Sequence, residues 1–228
     1  MSIDADPGRR ATAVDRSNET TLAGVSWLQF ARKRVSASAR WSSIWQLRAL
    51  RGMHDVVSLN GAPVQSVLDV GATDRVHEPF VRQRWPGVDY KSFDIDRTNH
   101  HDYHDFADID RQFDLVTILE VLEHVPPKVA VELMAQCAKA CRPGGHVLVS
   151  VPNVFTPGTQ LQWTHVSALD HLDILGLLAW SGLEVVDAAR VYLASGRHRF
   201  VHQYLLHPLH RLLGVDYAQS VVALGRKP

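Results

Sequence analysis

Three short runs of this 228-residue chain place chemistry-bearing side chains directly after apolar stretches. In VLDVGATDR, Gly71 follows a run that ends in Asp69 and Val70. A glycine there lets backbone pass close to a ligand, and the start of a following helix offers free N–H groups to a carboxylate or phosphate. The run is not a dinucleotide fingerprint. The pattern G-x-G-x-x-G needs glycine at 73 and 76, where the chain has Thr73 and Val76. In SFDID, Asp94 stands 23 residues after Gly71. At that separation an acid accepts hydrogen bonds from both ribose hydroxyls of an adenosine group. Asp96 competes for the role, and a plain surface carboxylate at a strand end is the alternative. In TILEVLEHVPP, Glu120, Glu123 and His124 follow an apolar run at once, which marks a strand end facing a cleft. His124 and the distant His165 are candidate general bases. The plainer alternatives are a loop histidine bonded to backbone at 124 and a residue fixing a helix entry at 165.

These groups need a scaffold that delivers them to one edge. Short apolar runs predict strands over 66–70, 88–95, 113–119, 146–153, 183–193 and 220–225. Between them, 74–85 suits a short helix with Pro79 inside it. A second helix starts at Pro126 and Pro127 and runs to about Cys141, stopped by Arg142-Pro143-Gly144-Gly145. A third is capped by Asp170 and continues to Trp180 before Gly182. Strands alternating with such helices predict an α/β fold, a mainly parallel sheet with helices on both faces. Ligands then bind beyond the carboxyl ends of the strands. Residues 1–22 read as a mobile tail. From Val25 to Val57, apolar residues recur every three or four positions among arginines, which predicts a helical N-terminal cap over 23–60, with the main domain over 61–228. In residues 196–214, Phe200, Tyr204, Pro208 and Leu212 recur every four positions among histidines and arginines. They predict an amphipathic helical insertion broken at Pro208. A substrate lid, a dimer surface and a peripheral membrane contact are its other readings.

Composition excludes several classes. The 24 basic and 24 acidic residues cancel, which argues against a basic coat for nucleic acid. The only cysteines, Cys137 and Cys141, lie one helical turn apart. They read as small buried hydrophobes, exclude a disulfide framework or thiolate zinc site, and point to a reducing, cytoplasmic setting. No run nears the roughly 18 apolar residues of a membrane span, and the first ten residues lack a leader's apolar core.

The ordered set VLDVGATDR, SFDID, HDF, FDLVTILEVLEHVPP, CRPGGHVLVSVPN and HVSALDHLDILGLLAWSGLEVV resembles class I S-adenosylmethionine-dependent methyltransferases. The likeness is to the broad small-molecule groups (types 11 and 23) and covers about residues 64–225. It implies a Rossmann-like seven-stranded sheet whose last strand is antiparallel, with S-adenosylmethionine as cofactor. The implied activity is methyl transfer to a small-molecule or glycan- or lipid-linked acceptor, at oxygen. By the resemblance, Asp69, Gly71 and Thr73 belong to the cofactor loop and Asp94 is the ribose acid. Asp105 lies near the adenine with Phe106 beside it, and Glu120 and Leu122 line the methionine and sulfonium end. The family's G-x-G-x-G is here Gly71, Thr73, Arg75, so two glycines are replaced and Arg75 brings a bulky charge. That departure prompts an alternative, a non-catalytic binding module on the same fold. A second alternative comes from the order Glu120, Glu123, His124 and His165, which resembles the metal-binding set of small-RNA 2′-O-methyltransferases. The neutral surface speaks against an RNA acceptor, and no metal is assigned from the sequence.

Overall fold

The computed structural model describes residues 21–22, 25–159, 162–192 and 200–228. Its centre is a seven-stranded sheet of β1 (Arg48–Leu50), β2 (Ser66–Val70), β3 (Asp89–Phe93), β4 (Phe113–Leu119), β5 (Cys141–Pro152), β6 (Glu184–Val191) and β7 (Ser220–Arg226). The order across the sheet is β1-β6-β7-β5-β4-β2-β3. Only β7 runs against its neighbours, pairing antiparallel with both β5 and β6. The expected Rossmann-like sheet with an antiparallel last strand is therefore present.

Both faces of the sheet are covered, so its strands are apolar on both sides. Side chains alternate between the two faces. Leu68, Val70, Val116, Ile118, Val147 and Val149 pack under α4 (Pro127–Ala140) and α5 (His171–Trp180), against Met134, Cys137 and Leu175. Val67, Leu115, Leu148, Val222 and Leu224 face the other way. They meet Val56 and Val57 of α2 (Asp55–Leu59) and Val81 of α3 (Glu78–Arg84). The two cysteines are free and buried, as their spacing predicts.

The seventh strand comes from an unexpected place. The helical spacing read over 25–57 holds for α1 (Trp27–Ala37), but Arg48–Leu50 pairs in parallel with Ala189–Val191 of β6. Ser43 caps a single tight turn, Ile44–Gln46, with Gln46 bonding back to it, and Leu47 then leaves in extended conformation. Trp41, Ile44 and Leu47 are buried in the main core. Their three-residue spacing reflects that burial, and pairing to an open sheet edge overrides helical propensity. α1 itself lies across α5. Arg34 pairs with Asp170 and Asp173, and a Cβ on Gly176 would stand 3.0 Å from that of Arg34.

Other boundaries shift for local reasons. α3 starts at Glu78 rather than near 74, because Pro79 fits only the first turn. β5 begins at Cys141, five residues before the predicted 146. The Arg142–Gly145 run, with Gly144 at φ 73°, is absorbed as an irregularity opposite Phe113–Leu115. The predicted tail over 1–22 lies outside the described residues except at Thr21 and Leu22, which pair with Val25 and Ser26. Of the predicted insertion, 196–199 lie outside them. Residues 201–205 form one wide turn, and α6 (His207–Leu213) carries Pro208 in its first turn. Among the described residues no helix is long and apolar enough to cross a membrane.

All strands but β7 point the same way, so the loops after β2, β3, β4 and β5 gather at one edge. A buried polar knot pins that edge. Asp216 accepts from Arg190 (3.2 Å), Tyr192 (2.7 Å), Asn153 (2.9 Å) and the Tyr217 amide (2.9 Å). Asp216→Ala leaves the Arg190 guanidinium buried and unpaired. It is expected to cost about 3–5 kcal/mol in urea denaturation. Breaking the exposed Glu78–Arg82 pair by Arg82→Ala is expected to cost about 1 kcal/mol or less. Equal losses would show that the knot is not what holds the edge.

Candidate functional site

The loop after β2 is fastened to the end of β3. The Gly71 and Ala72 amides both donate to the Phe93 carbonyl, at 2.9 and 3.1 Å. The Thr73 amide donates to Asp94 Oδ2 at 2.9 Å, and the Asp96 amide to Oδ1 at 2.9 Å. Asp94 is buried, and each of its oxygens keeps a further lone pair. Gly71 has φ 74°, and a Cβ there would stand 2.4 Å from Val121 Cγ2 of the loop after β4. The two loops touch, and only glycine permits it.

Among the described residues the non-glycine positive φ angles are Thr73 (45°), Arg75 (60°) and Glu120 (55°). All three lie in these two loops, and each costs on the order of 1–3 kcal/mol. Thr73 and Arg75 thus hold the left-handed backbone that glycine adopts freely. The Arg75 guanidinium donates to the His100 carbonyl (3.1 Å) and pairs with Asp102 and Glu78. Asp102 in turn accepts from the Ser92 amide and hydroxyl and from Lys91.

The other residues expected around an adenosine group fall unevenly. Phe106 packs against Phe93 with ring centres 4.2 Å apart and planes tilted by 34°, at the loop. Asp105 is exposed and caps its own turn, accepting from the Ala107 amide at 2.9 Å. Asp69 lies within the sheet, not on the loop. Its oxygens accept from Tyr90 (2.7 Å) and Thr117 (2.6 Å) of the adjacent strands. Burial pushes its carboxyl up, and those two bonds oppose the rise. Asp96 bonds the Thr98 amide in an exposed turn.

The second corner follows β4. Glu120 accepts from Ser150 of β5 at 2.7 Å, and its amide returns to the same residue. Burial lifts its carboxyl to about 7, against the Ser150 bond and with the like charge of Glu123 adding to the rise. Leu122, expected on the ligand side, is wholly buried in the core and serves packing. Glu123 is also buried, and neither of its oxygens has a hydrogen-bond partner. Burial lifts it to about 7 as well. His124 and His165, 120s and 160s in sequence, come together with ring centres 4.9 Å apart. His124 Nδ1 lies 3.2 Å from the Thr164 carbonyl, and its Nε2 lies 3.8 Å from Glu123 Oε1. Burial, then His124, holds the His165 imidazole below its ordinary value. The amides of Val166 and Ser167 donate to the Glu123 carbonyl, which fixes the 164–167 segment against the corner. A cavity of about 200 Å³ opens there, lined by Glu123, Val151, Thr159, His165 and Val166.

Sequence reasoning missed Tyr90, Thr117, Asp102, Ser150 and the orphaned state of Glu123. Ser150 carried a signal, a hydroxyl inside the otherwise apolar VLVSV. Nothing local distinguishes Asp102 from the acids around it.

The pattern of the methyltransferase-domain family matches residues 31–212. A probable S-adenosylmethionine-dependent methyltransferase of Mycolicibacterium smegmatis is 32% identical over 127 residues, 54% of this chain and 46% of that protein. The ubiquinone biosynthesis O-methyltransferase of Marinobacter nauticus is 50% identical over 42 residues, 18% of this chain and 17% of its own. The chain thus spans less than half the length of these curated relatives. Among solved structures, a SAM-dependent methyltransferase from Archaeoglobus fulgidus superposes with TM-score 0.55 at 15% identity, over 89% of this chain and 100% of that one. That likeness concerns the fold.

Two outcomes follow from the corner geometry. Gly71→Ala is expected to destabilise by about 1–3 kcal/mol from backbone strain and the Val121 clash. Adding Val121→Ala should recover part of the loss in thermal denaturation; no recovery would mean the two loops do not abut. Glu123, with its carboxyl raised from 4.5 to about 7, keeps a proton in the folded state that the unfolded chain has released. Its contribution therefore stabilises most below 4.5 and is lost as pH rises to about 7. The stability difference between the native chain and Glu123→Gln should shift against the native chain from about pH 5 to about pH 8 in urea melts. A constant difference would show that Glu123 titrates normally.

Proposed function

We propose a function for this chain from one premise: it belongs to the methyltransferase-domain family. The reading is transfer of a methyl group from S-adenosylmethionine to the hydroxyl of a small-molecule or glycan- or lipid-linked acceptor. The observation that carries it is the fastening of the Gly71–Thr73 loop to Asp94 at the carboxyl edge. The left-handed angles at Thr73 and Arg75 support cofactor binding despite the missing glycines, because the loop's shape does not depend on them. The acceptor's being a hydroxyl is favoured by the likeness to a ubiquinone biosynthesis O-methyltransferase.

In this reading the 71–73 loop, the open lone pairs of Asp94 and Phe106 would hold the adenosine end. Asp69 stays beneath, neutral or charged, bracing β2 against β3 and β4. Glu120 would face the methionine end, and Glu123, His124 and His165 would face the acceptor. Chemistry then demands chiefly position, with the acceptor oxygen about 3 Å from the methyl carbon and in line with the bond that breaks. The methyl leaves sulfur for oxygen, and the acceptor's proton must go elsewhere. His124, its Nδ1 engaged with Thr164, offers Nε2, and His165, whose imidazole burial and then His124 hold below its ordinary value, is the second base. A positioned base contributes about 10²–10⁴ to the rate. Two buried free thiols fit a reducing compartment, and we place the reaction in the cytoplasm.

Titration with S-adenosylhomocysteine by calorimetry tests the donor side. Saturable binding is expected, weakened at least about 30-fold by Asp94→Ala, the loss of two charge-assisted hydrogen bonds and their loop support. Absence of binding by the native chain at millimolar ligand would leave the non-catalytic module in its place.

A further inference from the structure

Residues 51–54, which lead from β1 into α2, and one flank of α3 enclose an open cleft of about 710 Å³. That volume falls within the roughly 300–1,000 Å³ of small-ligand pockets. No residue of the two corners described above lines it. His77, Phe80 and Arg84 follow one another at spacings of three and four, so they share one side of the helix. Met53 and Phe80 give the cleft its apolar wall, and Phe80 is 61% exposed. A phenylalanine left so open beside a cavity gains when its face is covered.

The polar groups of the cleft carry one sign. Asp55 is the one acid among the lining residues, and both its oxygens are engaged. Oδ2 accepts from the Gly52 amide and Oδ1 from Arg84, each at 2.9 Å. Arg84 also donates to Ser58 Oγ at 2.7 Å, which fixes its guanidinium. Arg51 is exposed at the rim, and among the described residues no ion pair or hydrogen bond engages it. The His54 ring stands 6.0 Å from that of His77 and 6.1 Å from that of Trp85, centre to centre. Burial, then His77 and Arg84, hold its imidazole down at about 4, so the ring stays neutral at about pH 7. Its Nε2 is buried with no hydrogen-bond partner. A buried bare lone pair costs less than a buried orphan N–H, which puts the proton on Nδ1 and makes it a donor for a ligand.

We propose that this cleft binds a small organic anion, a flat apolar body bearing one carboxylate, at a site distinct from the two corners of the carboxyl edge. Arg51 takes the carboxylate with its planar fork, and His54 Nδ1 donates to it. The apolar body lies against Phe80 and the Met53 thioether. One unpaired guanidinium and one neutral donor balance a single negative charge, which favours a carboxylate over a phosphate dianion. The inference goes beyond the proposed function and stands without it.

The full chain is titrated with naphthoate by calorimetry, and the site is located by amide chemical-shift mapping. One equivalent is expected to bind with Kd below about 1 mM, with shifts centred on residues 51–55 and 77–84. Arg51→Ala should weaken binding at least about tenfold, and Phe80→Ala at least about threefold. Both side chains are exposed, so the variants keep the fold. Arg32→Ala, on the exposed side of α1, should change nothing. Naphthylmethylammonium, the same body with the opposite charge, should not bind. Any of four results overturns the proposal: no saturable binding by millimolar naphthoate, equal binding of the two charges, unchanged affinity in Arg51→Ala, or shifts centred on residues 71–73 and 94.

Discussion

The architecture of the carboxyl edge depends on backbone amides of one loop finding acceptors at the end of the neighbouring strand. Gly71, Ala72 and Thr73 present three successive N–H groups, and the Phe93 carbonyl and Asp94 carboxylate take all three. Parallel pairing of β2 with β3 sets this up, since Val70 is in register with Phe93 and the residues that follow each must meet. With the amides held, the chain goes onward through left-handed φ at Thr73 and Arg75. The strain accompanies the bonding, and the Arg75 contacts with His100, Asp102 and Glu78 help offset it. Asp69, one layer down, is the matching support, held by Tyr90 and Thr117 on the two flanking strands.

The two corners of the edge are built on opposite terms. Around Asp94 both carboxylate oxygens accept from backbone amides, which gives a fixed acceptor of further hydrogen bonds. Around Glu120 and Glu123, burial raises two carboxyls to about 7, one engaged with Ser150 and one engaged with nothing. A satisfied network fixes shape, whereas an unsatisfied buried carboxyl is held only because the fold around it over-determines its place. Here that fold is the Glu123 carbonyl clamping Val166 and Ser167. The first corner suits recognition of a ligand's hydroxyls, and the second suits handling a proton or a positive charge.

Much of the sheet was legible because each of its central strands is buried on both faces, and continuous apolar runs such as FDLVTIL have no other home. The helix over 171–180 was legible for a different reason, since Asp170 and Asp173 make a reciprocal cap that reads directly from sequence. The strand at Arg48–Leu50 was not legible. Its pairing partner lies 141 residues away, and Trp41, Ile44 and Leu47 imitate a helix by facing one core. At the site, sequence spacing identified the loops but not the direction of each side chain. Leu122, just past β4, and Asp69, near the end of β2, stand where ligand-facing groups are expected, yet they turn into the core and the sheet. The choice between cleft and core at such positions is made by contacts with β3, β4 and α4, which no local pattern encodes.

The replacement of glycines at 73 and 75 bears on how far a motif can be trusted. A glycine pattern records two physical needs, positive φ and room for a close neighbour. At Gly71 both needs operate, with φ 74° and Val121 Cγ2 2.4 Å from where a Cβ would stand. At Thr73 and Arg75 the structure shows the first need, and the side chains project to partners rather than into a neighbouring backbone. Glycine there would lower a conformational cost of about 1–3 kcal/mol per residue without opening space that the chain lacks. Losing those glycines therefore weakens the sequence signal more than it alters the site, and the residue that carries the geometric constraint is the one the chain retains.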